Sequence, residues 1–174
     1  KYFNNKKVGC LPIGYKSGTH LVKNIEQRKY KWVFIGTPHK SSRHDLLFQL
    51  ADIEPSFSYK TKEFDKKLLD VDQMSEILTS TEFVPCPNGM WHPETYRLYE
   101  ALECGCIPIV EDTYKYYDRL FPNNPFLKVN KWLEAKFLIK EWKSEQVDQK
   151  REECKSWWKQ YKNYLQNFIS NKIN

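Results

Sequence analysis

The chain has 174 residues, 40% of them hydrophobic and 16% aromatic, and carries a net charge of +6. That length suits one α/β domain able to bury about 70% of its unfolded surface, and the aromatic content excludes an intrinsically disordered chain. No apolar run approaches the roughly 18 residues of a membrane-crossing helix, and the basic excess favours anionic ligands or serves solubility.

In chain order, Val8 to Ile13 reads as a strand, followed by a turn from Gly14 to Gly18. The chain opens at Lys1 with no leader pattern, so we expect a segment of a longer polypeptide. Trp32 to Ile35 is a second strand, closed by Gly36, and Ser41 to Leu50 is a helix with Leu46, Leu47 and Leu50 on its apolar side. Phe57 to Tyr59 reads as a short strand. Asp70 or Asp72 caps a helix carrying Met74, Ile77 and Leu78. Phe83 to Cys86 is a strand ending in Pro87-Asn88-Gly89. Pro93 then opens a helix to about Cys104, which Gly105 stops. Ile107 to Val110 and Phe126 to Val129 are further strands. Helices follow over Lys131 to Trp142 and Val147 to Ser170. Strands alternating with helices predict a parallel sheet covered on both faces. In such folds ligands lie at the carboxyl ends of the strands, which directs attention to the segments after Ile13, Ile35 and Cys86.

The segment from Phe83 to Val110 is the richest in chemistry. Gly89 allows close approach of backbone to a ligand. A helix start near Pro93 leaves free N–H groups and a partial positive charge, which suit an anion. Arg97, one turn in, offers a bidentate donor to phosphate. Glu100 lies farther along the same helix, placed to accept ribose hydroxyls from a nucleotide whose diphosphate sits at the helix start. A plainer reading stands beside this one. Glu94 with Arg97, and Arg97 with Glu100, are i,i+3 neighbours that can form solvated pairs worth a few tenths of a kcal/mol.

The runs Pro85 to Gly89 and Glu94 to Val110 resemble the donor-binding signature of exostosin-like glycosyltransferases, in particular the ribitol xylosyltransferase type. Leu11 to Gly14, Tyr30 to Gly36 and Arg43 fit the same pattern, so the resemblance covers Val8 to Val110. It implies the C-terminal Rossmann-like domain of a two-domain GT-B glycosyltransferase, spanning residues 1–130, with helices over 131–174 packing on it or on an N-terminal acceptor domain. It further implies that Gly36 and Thr37 lie beside the nucleotide diphosphate and that Arg43 reaches toward it. Pro87, Asn88 and Gly89 would pass near the base or sugar. Glu94, Thr95 and Arg97 would face the sugar diphosphate, and Glu100 would hold the ribose. The donor would be a UDP-sugar such as UDP-xylose, the acceptor a glycan hydroxyl, and the catalytic base would come from the other domain. Glu94 and Glu100 stand closer together than the paired glutamates of the broader retaining-enzyme pattern. That weakens Glu94 as a sugar ligand and leans toward inversion.

Other features read more plainly. Asp70-Val71-Asp72 spells a metal–diphosphate motif of a different glycosyltransferase fold, but it sits before a helix, where capping is the simpler role; no obligatory metal is expected. His20, His39, His44 and His92 show no ligand spacing, although His39 and His92 fall in ligand-side loops. Cys10, Cys86, Cys104, Cys106 and Cys154 form no disulfide framework and read as buried thiols. Cys86 lacks a neighbouring base and makes a poor nucleophile. Trp157, Tyr161, Tyr164 and Phe168 follow helical spacing and read as packing rather than a nucleic-acid surface. Two rival functions remain at this point: a nucleotide-sugar epimerase, and a non-catalytic nucleotide or nucleic-acid-binding module.

Overall fold

A computed structural model describes residues 11–23, 27–62 and 69–173 of the chain. Five strands form one parallel sheet: β1 (Tyr30–Gly36), β2 (Ser56–Lys60), β3 (Thr81–Cys86), β4 (Ile107–Glu111) and β5 (Leu127–Val129). Their order across the sheet is β2-β1-β3-β4-β5. Between and after them lie α1 (Arg43–Gln49), α2 (Val71–Thr79), α3 (Tyr96–Glu103), α4 (Tyr116–Leu120), α5 (Trp132–Glu141) and α6 (Ser144–Ile173). The α/β, Rossmann-like fold read from the sequence is the fold observed. No helix among the described residues is long and apolar enough to cross a membrane.

Alternation along each strand sorts the core into two layers. Trp32, Phe34, Phe83, Ile107 and Ile109 face one side, where Leu46 and Leu50 at α1 and Trp132, Ala135 and Ile139 of α5 cover them. Val33, Val84, Cys86 and Val110 face the other, under Leu78 of α2, Leu98, Tyr99 and Leu102 of α3, and Trp158 of α6. Both faces are apolar because both are covered, so these strands read as near-continuous hydrophobic runs. Each fully buried large side chain among them contributes about 1.5–3 kcal/mol relative to exposure.

Local chemistry sets the helix ends. Asp70 accepts from the Gln73 backbone N–H at 2.8 Å while the Gln73 side chain accepts from the Asp70 N–H at 3.2 Å, a capping box. This is the capping role expected for the Asp-Val-Asp run. α3 ends in a Schellman arrangement: Gly105 has φ +69°, its N–H reaches Leu102 O at 3.1 Å, and the Cys106 N–H reaches Ala101 O at 2.8 Å. Of the tail aromatics, Trp157, Trp158 and Tyr161 pack on the domain, whereas Tyr164 is 59% exposed. Trp157 meets Phe121 and Phe126 edge-on at 5.8 and 5.0 Å, and Trp158 donates to Glu103 at 2.7 Å.

Three sequence expectations change. Of the predicted first strand, Val8 to Cys10 lie outside the described residues, and Leu11 to Ile13 join no strand; the Ile13 backbone lies near the Glu94 carboxylate and not on a sheet ladder. α3 starts at Tyr96 with Thr95 as N-cap, not at Pro93, so Arg97 is its second residue rather than one turn in. Helix α4 was not anticipated. Asp112 nucleates it by accepting from the Tyr116 N–H at 2.5 Å and the Tyr117 N–H at 3.3 Å. Cys86, Cys104, Cys106 and Cys154 are buried and free, as expected; Cys10 lies outside the described residues.

Candidate functional site

The chain steps outward from β1 to β2 and then crosses back past β1 to β3. Connections leaving in opposite directions open a crevice at the carboxyl ends of β1 and β3. A cavity of about 480 Å³ lies there, and it is built from the strand ends, α1, α2, α3 and the turn at Tyr15 and Lys16. Val33, Val84, Met74 and Leu78 give its lining apolar surface. Thr37, Thr61, Arg43, Thr95, Arg97 and Glu100 give it polar and charged groups.

The two arginines are fixed by main-chain carbonyls at the end of β1. Arg97 Nη2 donates to Ile35 O at 2.6 Å, and its guanidinium lies 4.9 Å from the centre of the Phe34 ring. Arg43 Nη1 donates to Thr37 O at 3.0 Å. Gly36 makes the Arg97 contact possible: its φ is +139°, and a Cβ there would stand 2.9 Å from Arg97 Nη2. Arg97 Nη1 and Arg43 Nε are buried without a hydrogen-bond partner among the described residues. Burial, and then the neighbouring Arg97 charge, lower the Arg43 pKa to about 10. Burial likewise lowers that of Arg97, opposed by the charge of Glu100. Two partly desolvated cations with unspent donors form a site for an anion.

The start of α3 adds to this field. Thr95 holds the N-cap backbone conformation, yet its side chain makes no capping bond, and its Oγ1 is buried without a partner among the described residues. The helix therefore presents unspent N–H groups and the positive end of its dipole at the cavity. Glu100 lies one turn on and also lines the cavity. Burial pushes its carboxyl up from the ordinary range, opposed by the charges of Arg97 and Lys16.

The remaining predicted residues sit elsewhere. Pro87, Asn88 and Gly89 follow β3 but do not line the cavity. A Cβ on Gly89 would meet His92 O at 2.6 Å, so this glycine admits the chain's own loop rather than a ligand. Glu94 is 6% exposed and turned into the protein. Tyr99 donates to its Oε1, Tyr116 donates to its Oε2 at 3.1 Å, and His92 Nδ1 lies 3.5 Å from Oε2. Burial raises its pKa, opposed by those partners and the Ile13 N–H. His39 does not line the cavity. Sequence reasoning directed attention to the segment after Ile13, the Gly14–Gly18 turn that carries Tyr15 and Lys16, but named no site residue there, nor Thr61, Met74 or Leu78. Gly14 and Gly18, both at positive φ, frame the turn. Among the described residues no cluster of three or more His, Cys, Asp or Glu is arranged to hold a metal ion.

A parallel α/β sheet of this order belongs to the doubly wound class, and its switch point here gathers two arginines and an uncapped helix start, chemistry suited to an anion. The family described as "RXYLT1 C-terminal domain" matches residues 15–174, and the chain belongs to that family. The resemblance drawn from the Pro85 to Gly89 and Glu94 to Val110 runs leads to the same family. Ribitol-5-phosphate xylosyltransferase 1 of Danio rerio is 27% identical over 89% of this chain and 39% of its own length. The chain thus spans well under half of that relative.

Proposed function

We propose that this chain is the nucleotide-sugar donor domain of a glycosyltransferase. The observation that carries the reading is the convergence of Arg43, Arg97, Thr95 and the start of α3 on one cavity, with Glu100 one turn beyond. The cationic wall holds the diphosphate, with Gly36 and Thr37 beside it, and Glu100 accepts the ribose hydroxyls. The apolar surface takes the base, and Pro87 to Gly89 shape the approach of the sugar. Glu94 acts indirectly, by fixing the loop that precedes α3. The relative's name, a xylosyltransferase, supports transfer of xylose; we take the donor to be UDP-xylose or a similar UDP-sugar and the acceptor to be a glycan hydroxyl.

In this reading the nucleoside diphosphate is the leaving group. Charge developing on its terminal oxygens meets Arg43, Arg97 and the N–H groups of α3, which are already in place and need no reorganisation. No metal is required for that role. The acceptor hydroxyl attacks the anomeric carbon from the opposite face, with inversion, after deprotonation by a base on an N-terminal acceptor domain. Residues 1–130 form the donor domain, and 131–174 brace it or reach the acceptor domain.

Calorimetric titration with UDP tests this, with GDP as comparator and Glu100→Ala as control. UDP binds the unsubstituted chain, and the variant loses at least tenfold in affinity. Equal affinity for UDP in the variant refutes the ribose assignment, and absence of UDP binding by the unsubstituted chain refutes the donor-domain reading.

A further inference from the structure

Residues 13–22 form a strap across the gap between α2 and α3. At one end the Ile13 backbone lies near the Glu94 carboxylate, in the loop before α3. At the other, the His20 N–H donates to Ser75 Oγ at 3.2 Å and the Val22 N–H donates to Thr79 Oγ1 at 3.2 Å, both on α2. Between these anchors the chain makes a tight turn, closed by Thr19, whose N–H and hydroxyl both donate to Lys16 O at 3.1 and 2.8 Å. Gly14 and Gly18 bracket the turn at φ +77° and +92°, and nothing lies within 4 Å of where a Gly14 Cβ would stand. The strap is therefore pinned to α2 at its far end, rests Tyr15 edge-on against Trp158 at 6.3 Å, and has open space at its leading glycine. Tyr15 and Lys16, at its middle, line the cavity.

Charge gives this turn a role. Arg43 and Arg97 are held by backbone carbonyls and cannot follow a ligand without breaking those bonds. Lys16 sits on the strap, and Glu100, whose carboxyl feels the Lys16 charge, is the carboxylate of the cavity lining. With Lys16 counted, three cations against one carboxylate leave two positive charges around the cavity. That matches the two negative charges of a nucleotide-sugar diphosphate. Without Lys16 the cavity is one charge short.

We propose that Lys16 is a third donor-contacting cation, delivered by the Gly14–Gly18 turn, which closes over the diphosphate when the nucleotide binds. This rests on the donor-site reading above and adds a contact and a movement to it. The lysine suits the task because its ammonium is a compact charge on a flexible stem, whereas the arginines are rigid forks.

The test is UDP titration of Lys16→Met and Lys16→Arg, with Lys159→Met as a control that removes the same charge from an exposed position on α6. Amide hydrogen exchange across residues 14–19 is measured with and without UDP. Lys16→Met loses at least tenfold in UDP affinity, Lys16→Arg recovers most of it, and Lys159→Met changes nothing beyond twofold. UDP slows exchange in the turn of the unsubstituted chain. Lys16→Met binding within twofold of the unsubstituted chain overturns the contact. Exchange in the turn that UDP leaves unchanged overturns the closure. Absence of UDP binding by the unsubstituted chain overturns the donor reading and this proposal together, whereas retained binding with unaffected variants overturns this proposal alone.

Discussion

Gly36→Ala probes the link between backbone conformation and the cationic wall. At φ +139° an alanine is strained, which costs about 1–3 kcal/mol. Its Cβ would also stand 2.9 Å from Arg97 Nη2. An arginine tip ordinarily swings away from such a contact. Here it is pinned to Ile35 O at 2.6 Å and lies against the Phe34 ring, so moving it gives up a charged hydrogen bond worth about 1.5–3 kcal/mol. The expected loss is about 3 kcal/mol or more, equivalent to a fall of about 6–12 °C in Tm for a domain of this size. Gly14→Ala is the comparison, because its φ is also positive but its surroundings are open; it costs only about 1–2 kcal/mol of backbone strain. Thermal melts followed by circular dichroism, with UDP titration of each folded variant, give both readouts. Equal destabilisation by the two substitutions, with unchanged UDP affinity in Gly36→Ala, would refute the claim that Gly36 is there to admit Arg97.

Three further outcomes follow from the same structure. Ser42 Oγ donates to Glu111 at 2.5 Å and accepts from the buried Trp132 Nε1 at 2.9 Å, so Ser42→Ala strands a buried donor and costs about 1–3 kcal/mol in denaturant titrations, while Ser42→Thr retains most of it. Burial raises the Glu94 pKa above its ordinary 4.5, so its contribution to stability is full below that value and is lost as pH rises through the folded value. The Tm of the unsubstituted chain relative to Glu94→Gln should therefore fall as pH rises above 4.5; a difference independent of pH would show that the carboxyl does not titrate as its burial implies. Burial pushes the Cys154 thiol up to about 12 and raises Cys86, Cys104 and Cys106 as well, so mass spectrometry after iodoacetamide at pH 8 should find these four unlabelled until denaturant is added.

Much of this architecture was legible in the residues. Apolar runs such as Trp32 to Ile35 and Ile107 to Val110 mark strands buried on both faces, and Gly105 and Asp70 mark helix ends by chemistry that acts within a few residues. Two of the misses trace to contacts distant in sequence. Leu11 to Ile13 has the composition of a strand, but the Ile13 backbone lies near Glu94, far away in sequence, and joins no sheet. Pro93 has the look of a helix start, yet the loop at Glu94 is held by Tyr99 and Tyr116 and delays α3 to Tyr96. Helix α4 is too short for periodicity to declare it. In the site, Arg97 and Glu100 stood out because charged residues on a helix carry local meaning, whereas Arg43 and Thr95 were reached through the family resemblance. Met74, Leu78 and Thr61 did not stand out, because a residue lining an apolar wall looks like any core residue until its neighbours are known.

Arg43 and Arg97 are both aimed by peptide oxygens, those of Thr37 and Ile35. Every residue supplies the same oxygen, so the side chains at those two strand-end positions are free to drift without disturbing how the arginines point. A chain can thus exchange much of its strand-end composition while its cationic wall keeps its shape. For redesign, the side chains at positions 35 and 37 become places to reshape the cavity for a different ligand, and the glycine between them the position to leave alone.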